Sequence, residues 1–326
     1  MRAIICRAYG PPDTLEFGEL PAPVAGDGQL LVRVRAAGVN FPDNLIIQGR
    51  YQLKPAMPFA PGFEVAGEVV AVGAGVAMFK VGDRIMGLSA AGYGAFAELA
   101  VTDASASMPI PDDMDDVAAT AFFAPYGTSY HALVQRGRLR AGETLLVLGA
   151  SGGVGLAAIE IGKALGARVI AVASSPEKLD VARAHGADEL IDYHAQDLHQ
   201  CVRHLTAGAG VDVCLDTVGG DAFDTMSRNI NWDGRLLVIG FASGRIPQLP
   251  VNLPLLKGYQ VVGVWWGPFA QRDPESNVAN FRELFAMYAA GKLRPRVFRT
   301  YPLERCGEAL KELLGRGVVG RLVLTV

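Results

Sequence analysis

The sequence lacks the features that mark a secreted, membrane-spanning or nucleic-acid-binding protein. Its four cysteines are scattered without a CxxC pair, which excludes a disulfide framework and favours reduced thiols in the cytoplasm. Charge of neither sign dominates, since 30 basic and 33 acidic side chains give a net charge of −3; this argues against nucleic-acid binding. One uncharged run, residues 117–135, approaches membrane-spanning length, but it contains Pro125, Gly127 and His131. It predicts a buried helix–turn–helix and no membrane segment.

Glycine and apolar residues, in contrast, are abundant. There are 39 glycines in 326 residues, and 50% of the chain is hydrophobic. The usual share of glycine is about 7%, so the excess indicates many tight turns or close approaches of the backbone to a ligand. A chain of this length with this much apolar material predicts a folded protein of two domains.

The pattern of apolar residues changes along the chain. Residues 29–36 alternate apolar and polar side chains, and closely spaced prolines and glycines follow, which predicts a small β-barrel in the first part. From residue 144 onward, short apolar strands alternate with helical segments. This alternation predicts an α/β domain with a doubly wound parallel sheet. The predicted strands are 144–148, 168–173, 189–191, 211–216, 235–239, 260–264 and 321–326, and the predicted helices are 155–165, 176–185, 277–291 and 303–314.

A glycine cluster follows the strand at 144–148 and opens a helix, which is the context of a dinucleotide-binding loop. The backbone amides of Gly152, Gly153 and Val154 are predicted to face a pyrophosphate at the helix N-terminus. Gly155 would allow the helix to pack closely on the strand, and Ala150 stands where the G-x-G-x-x-G motif begins. The candidate cofactor-binding residues of this loop are Ala150, Ser151, Gly152, Gly153, Val154 and Gly155.

The end of the next strand distinguishes the two nicotinamide cofactors. Enzymes that use NAD usually carry an acidic residue there, which bonds the ribose 2′-hydroxyl. This chain has Ser174 at that place, with Lys178 four residues later. A hydroxyl and an ammonium group would bind an added 2′-phosphate, so NADPH is predicted. An alternative is that Lys178 only covers a helix N-terminus.

The stretches 36–43, 48–51, 61–67 and 142–155 together resemble the quinone oxidoreductases of the zeta-crystallin type, a zinc-independent branch of the medium-chain dehydrogenase/reductase superfamily. The resemblance covers essentially the whole chain. One departure is Glu160, where the family signature has Gln; it is expected on an outer helix. The family architecture implies a GroES-like (chaperonin-10-like) catalytic β-barrel domain in residues 1–124, a Rossmann cofactor domain in 125–266, and a return of the chain to the first domain in 267–326, with the substrate between the domains.

The resemblance also implies which residues form the site. Zinc-dependent relatives have Cys, His and Cys where this chain has Asn40, Phe63 and Ala124, so no metal is expected. Asn40 is expected beside the nicotinamide ribose and Thr128 beside the ring. Tyr51 would either donate a proton to the acceptor or only line its pocket. The family pattern places Lys178, Tyr193 and Arg316 around the 2′-phosphate and Gly240, Phe241 and Val264 along the nicotinamide. Val218 is also predicted to bind the cofactor.

These observations predict a cytoplasmic NADPH:quinone oxidoreductase that passes a hydride to a quinone or a related α,β-unsaturated carbonyl. A 2-enoyl-CoA thioester reductase, in which Tyr51 is catalytic, is one alternative; a non-catalytic NADPH-binding protein is another. The resemblance further implies a homodimer formed through the sheet edge at 260–264 and the apolar run 249–256.

Overall fold

The computed structural model of the protein describes every residue from Met1 to Val326. Its strands are β1 Arg2–Ile5, β2 Glu16–Glu19, β3 Gln29–Val39, β4 Glu64–Val72, β5 Arg84–Ser89, β6 Leu99–Pro109, β7 Thr144–Leu148, β8 Arg168–Ala173, β9 Glu189–Asp192, β10 Val211–Asp216, β11 Ile230–Val238, β12 Gln260–Gly263, β13 Val297–Pro302 and β14 Arg321–Thr325. Its helices are α1 Phe41–Ile47, α2 Asp116–Tyr130, α3 Gly153–Ala164, α4 Pro176–Ala184, α5 Leu198–Leu205, α6 Gly220–Met226, α7 Asn252–Lys257, α8 Trp266–Arg272, α9 Pro274–Ala289 and α10 Cys306–Leu314.

The chain divides into two units. The barrel unit comprises residues 1–124, 269–281 and 295–326, and the α/β unit comprises residues 125–268 and 282–294. The sequence analysis predicted that the whole of 267–326 returns to the first unit. In the structure, residues 282–294 of this tail interrupt the return. Residues 282–294 group with the α/β unit because the backbone N–H of Arg294 donates to Glu160 at 2.9 Å and its guanidinium donates to Ala184 O at 3.0 Å.

In the barrel unit, β3 pairs with β4, β4 with β5 and β5 with β6, and β6 pairs back with β3 to close the ring. β14 adds to the end of β3, and β13 lies parallel to β14. The side chains of Val32, Val34 and Ala36 point into the core, whereas Arg33 and Arg35 between them are exposed. This period of two is the one predicted for the segment, and the GroES-like barrel is confirmed.

The α/β unit contains a parallel sheet of six strands in the order β12-β11-β10-β7-β8-β9. The predicted Rossmann-type fold is confirmed. The order reverses between β10 and β7, because β8 and β9 lie on one side of β7 and the later strands on the other. In sheets of this kind, ligands bind at the carboxyl ends of the strands around this reversal.

Two local predictions were wrong. Residues 116–130 form one helix, continued by a π-helical turn at His131–Arg136, and not a helix–turn–helix. Pro125 lies inside this helix and costs it one backbone hydrogen bond, and Phe122 and Phe123 in the preceding turn are buried. Glu160 is buried and not on an outer surface: it accepts hydrogen bonds from the Tyr126 hydroxyl at 2.6 Å and from Arg294 N, and contacts His185 Nδ1 at 2.7 Å. No helix of the protein combines the length and apolar character needed to cross a lipid bilayer.

Candidate active site

The glycine loop between β7 and α3 has one open face and one packed face. A Cβ added at Gly152 would meet only the Gly149 carbonyl oxygen, at 3.6 Å, whereas one at Gly155 would lie 2.8 Å from Ala150 Cα. Gly149 has a φ of +70°, which favours glycine. A loop with space above Gly152 and none beside Gly155 fits a pyrophosphate that approaches the backbone closely.

The amides of this loop differ from the prediction at one position. Gly152 N–H donates to Gly149 O at 3.1 Å, so it closes the turn and is not directed at an anion. α3 begins at Gly153, and the first-turn amides of a helix have no intrahelical acceptor. The predicted donors that keep free amides are those of Gly153 and Val154, at the positive end of a 12-residue helix, and their contact with an anion stays a prediction.

The other predicted residues of the α/β unit, apart from Thr128, follow the carboxyl ends of neighbouring strands or lie in the first turn of the helix after β8. From one side of the sheet to the other they are Val264 after β12, Gly240 and Phe241 after β11, Val218 after β10, the glycine loop after β7, Ser174 and Lys178 after β8, and Tyr193 after β9. Parallel strands place their carboxyl ends at the same edge, so the topology brings these residues into one row. Thr128 lies on α2, partly exposed.

Three predicted phosphate-binding residues follow the ends of β8 and β9. The Lys178 ammonium donates to Ser174 Oγ at 2.8 Å. Tyr193 follows β9 directly, is 43% exposed, and donates its backbone N–H to Ala173 O. Arg316 belongs to the barrel unit, between α10 and β14, and its place beside the phosphate stays a prediction.

Sequence reasoning missed two residues that shape the loop after β10. Asp216 is buried, and its Oδ1 accepts hydrogen bonds from Val218 N at 2.7 Å and Gly219 N at 2.9 Å. Burial raises the pKa of this carboxyl. The Thr217 hydroxyl donates to Leu148 O at 3.1 Å, which joins the loop to the start of the glycine loop. The polar-glycine run directly after a buried strand is the signal that could have indicated them.

In the barrel unit, Asn40 belongs to a polar network that the sequence did not indicate. Its Nδ2 donates to Glu64 Oε1 at 2.9 Å and to Gly38 O at 3.1 Å, and its Oδ1 accepts from Arg321 Nη1 at 2.8 Å. Arg321 and Glu64 also form a buried ion pair. The Tyr51 side chain is half-buried. It packs edge-on against Phe63, with 5.3 Å between the ring centroids.

The residues at the three positions where the resemblance implies zinc ligands do not fit that metal here. Asn40 uses both amide donors inside the network, Phe63 has no ligand atom, and Ala124 contributes only its backbone N–H, donated to Glu64 Oε2 at 3.2 Å. No group of three or more His, Cys, Asp or Glu side chains could hold a metal ion. The Glu64 carboxylate beside Asn40 is already paired with Arg321. A tetrahedral zinc site requires thiolate, imidazole or carboxylate ligands that are free to coordinate.

Comparisons with known proteins agree with both units. Residues 26–112 match the family model "Alcohol dehydrogenase GroES-like domain", and residues 153–283 match "Zinc-binding dehydrogenase". A quinone oxidoreductase of Pseudomonas aeruginosa is 38% identical over 320 residues, which are 97% of each chain. Two solved structures, Escherichia coli quinone oxidoreductase complexed with NADPH and a mycobacterial protein complexed with NADPH, match with 28% and 33% identity; each has a TM-score of 0.94 and covers 100% of both chains. The chain therefore belongs to the quinone oxidoreductase family of the medium-chain dehydrogenase/reductase superfamily.

Proposed function

We propose that the protein is an NADPH-dependent oxidoreductase that reduces a quinone or a related α,β-unsaturated carbonyl. The observation that carries this proposal is the pair Ser174–Lys178 at the end of β8, where an NAD enzyme would have a carboxylate. The glycine loop and the first turn of α3 hold the pyrophosphate, and Ser174 and Lys178 bind the 2′-phosphate. When bound, NADPH supplies a hydride from its nicotinamide ring. The NADPH complexes of two related structures support the assignment.

We propose that the reaction needs no catalytic zinc. The support is the donor set at Asn40, Phe63 and Ala124, where an amide, a phenyl ring and a backbone N–H replace metal ligands. Acceptors that are already electrophilic, such as quinones and enones, require no metal to polarise them. Assay in the presence of a strong chelator, after dialysis, should leave turnover unchanged; loss of activity with recovery on adding zinc would contradict this.

Tyr51 is the residue of the barrel unit that could act on the acceptor oxygen. Its ring is held against Phe63, so the hydroxyl has a defined direction, and a phenol can donate a hydrogen bond or a proton to a developing enolate. An enone requires this protonation more than a quinone does, since the reduced quinone is a stable anion. A role in lining the pocket would affect both classes of acceptor alike.

The experiment that tests the function is NADPH oxidation, followed by absorbance, with wild-type protein and with Tyr51→Phe. The acceptors are 1,4-benzoquinone, phenanthrenequinone, an alkenal and crotonyl-CoA, each repeated with NADH. Fast quinone turnover with NADPH is expected, with a loss in Tyr51→Phe that is larger for the alkenal. Preference for crotonyl-CoA would identify a thioester reductase instead, and NADPH binding without turnover of any acceptor would identify a non-catalytic binding protein.

We also propose a homodimer formed through the β12 edge of the sheet. β12 is an outer strand with exposed Gln260 and Val261, and the adjacent α7 has no buried residue. Leu255 and Leu256 on this helix are 79% and 71% exposed, and Trp232 is 68% exposed. An apolar group beside an unpaired strand edge favours pairing with a second copy of the chain.

Finally, we propose that the protein acts in a reducing compartment, the cytoplasm. All four cysteines are unpaired, and Cys6, Cys214 and Cys306 are buried. Disulfides are rare where glutathione and thioredoxin keep thiols reduced. Thiol titration of protein isolated and unfolded without reductant should count four thiols per chain; a lower count would contradict the proposal.

A further inference from the structure

The glycine loop is held at both ends by hydroxyl groups that belong to other elements of the α/β unit. At its start, the Thr217 hydroxyl donates a hydrogen bond to Leu148 O at 3.1 Å. At its end, the Ser129 hydroxyl donates to Val154 O at 2.8 Å. Thr217 follows β10, and Ser129 lies near the end of α2. Both residues belong to the same unit as the loop, so these contacts are internal to it.

The Ser129 hydroxyl attaches the first turn of α3 to α2. Ser129 is 0% exposed, and Val154 is the second residue of α3 and carries one of the two predicted anion-binding amides. A serine hydroxyl has one hydrogen to donate, and this contact uses it. A carbonyl oxygen has two lone pairs, of which the helix itself needs one. The contact therefore fixes the N-terminus of α3 and leaves the hydrogen bonds of the helix in place.

Thr217 holds the other end of the loop by a hydrogen bond and by close packing. A Cβ added at Gly149 would collide with Thr217 Oγ1, so the hydroxyl lies directly against the backbone of the first loop residue. The turn that carries Thr217 is itself fixed, because the buried Asp216 carboxyl accepts hydrogen bonds from Val218 N and Gly219 N. The hydroxyl therefore reaches the glycine loop from a turn with a defined shape.

The middle of the loop is closed by its own backbone. Gly152 N–H donates to Gly149 O at 3.1 Å, and Ala150 N–H donates to Val172 O of β8 at 3.2 Å. The two hydroxyls add side-chain contacts at the points where the loop leaves β7 and enters α3. Together these bonds hold the loop in one shape in the absence of a ligand.

We propose that Ser129 and Thr217 are positioning residues for cofactor binding: their hydroxyls hold the two ends of the glycine loop in the shape that receives the pyrophosphate. The inference rests on the proposed NADPH function. It requires no contact between either hydroxyl and the cofactor, because each donates its one hydrogen to the loop. The contribution of the two residues is to order the loop beforehand, so that binding does not have to order it.

The test compares dissociation constants of NADPH and NADH, measured by direct titration without any acceptor. Ser129→Ala and Thr217→Val each remove one hydroxyl. Each variant should raise the NADPH Kd about 3- to 10-fold, as for one lost neutral hydrogen bond. The NADH Kd should rise by the same factor, because both cofactors carry the pyrophosphate. The double variant should raise both constants about 10- to 100-fold, since the two hydroxyls act at separate ends of the loop.

A ligand without a pyrophosphate separates positioning from a general loss of structure. Adenosine 2′-monophosphate carries the adenosine and the 2′-phosphate of NADPH but no pyrophosphate, so its Kd should stay at the wild-type value in both variants. The matched control is Ser227→Ala. Ser227 is 2% exposed, follows α6 in the same unit, and donates its hydroxyl to Asp224 O at 2.7 Å. This variant loses a comparable buried hydrogen bond, and its NADPH Kd should equal that of wild type.

Thr217 is partly exposed, so Thr217→Val is expected to fold even where Ser129→Ala does not. Thr217→Ser keeps the hydroxyl and should bind both cofactors as wild type does. A wild-type NADPH Kd in Ser129→Ala and Thr217→Val would overturn the inference and leave the proposed function standing. An equal loss of adenosine 2′-monophosphate binding would also overturn it, because the hydroxyls would then stabilise the unit as a whole. Failure of the wild-type protein itself to bind NADPH would instead overturn the proposed function.

Discussion

The carboxyl group of Asp43 is fully buried in the first turn of α1, where Oδ2 accepts a hydrogen bond of 2.7 Å from Asn40 N–H. Burial raises its pKa to about 8; the Glu64 charge adds to the rise, whereas the hydrogen bond and Arg321 oppose it. In an unfolded chain the ordinary pKa is about 3.9. At a pH between these two pKa values, unfolding therefore releases a proton from Asp43. The free energy of unfolding consequently falls as pH rises from about 4 to about 8.

Asp43→Asn should remove this dependence, because an amide of the same shape does not ionise. The stability of the variant relative to wild type is expected to improve by roughly 2 to 4 kcal/mol between pH 5 and pH 8, at about 1.4 kcal/mol per pH unit. Urea denaturation of both proteins at the two pH values measures this difference. A difference that does not change with pH would mean that Asp43 is ionised in the folded protein.

Lys178 is the residue on which cofactor preference is expected to depend. Lys178→Ala removes the ammonium that lies 2.8 Å from Ser174 Oγ, and loss of a charge-assisted bond to phosphate should weaken NADPH binding about 10- to 100-fold. NADH, which has no 2′-phosphate, should bind as before. Lys163→Ala, which removes a lysine paired with Asp188 in the same unit, is the matched control. Equal losses for both cofactors would show that Lys178 supports the helix and not the phosphate.

At the scale of elements, the glycine loop offers a pair of substitutions with different expected outcomes. Gly155→Ala would push a methyl group into the Gly149 carbonyl oxygen and to 2.8 Å from Ala150 Cα, and should destabilise the protein by about 1 to 3 kcal/mol. Gly152→Ala meets nothing closer than 3.6 Å. It should fold normally but place a methyl group where the pyrophosphate approaches, so NADPH binding should fall at least about tenfold. Thermal unfolding and NADPH titration together distinguish the two; normal binding by Gly152→Ala would contradict this placement of the pyrophosphate.

The strand elements show where local pattern is sufficient. Residues 144–148, 168–173 and 211–216 form strands with the predicted bounds, because each segment is short and mainly apolar, as buried parallel strands are. β11 begins at Ile230, five residues before the predicted start. The pattern of residues 230–234 did not predict a strand. In the structure Ile230 pairs with Val211, and a register shift separates this pair from the pairs that begin at Val213 and Arg235. Pairing with β10, which is a tertiary contact, decided this boundary.

At the scale of the whole molecule, the exposed edge of β12 predicts that two copies of the chain form a dimer. Val261→Lys places a charge on this edge, where Val261 is 38% exposed, and should convert a dimer into a monomer of 34.5 kDa. Size-exclusion chromatography with light scattering measures both masses. Val24→Lys, which charges an apolar side chain that is 85% exposed in the barrel unit, should leave the dimer intact. A wild-type protein of monomer mass would contradict the proposed interface.

The sequence by itself determined the two kinds of unit, the parallel sheet, the glycine loop and the absence of an acid at Ser174. Each of these depends on residues adjacent in the chain, where the period of apolar residues and the conformational freedom of glycine act locally. Only the tertiary structure decided that Glu160 is buried and that Arg321 meets Asn40 and Glu64. These outcomes depend on burial and on partners far apart in sequence. Helix packing creates the contacts of Glu160 and strand pairing those of Arg321, and no local pattern of residues encodes either.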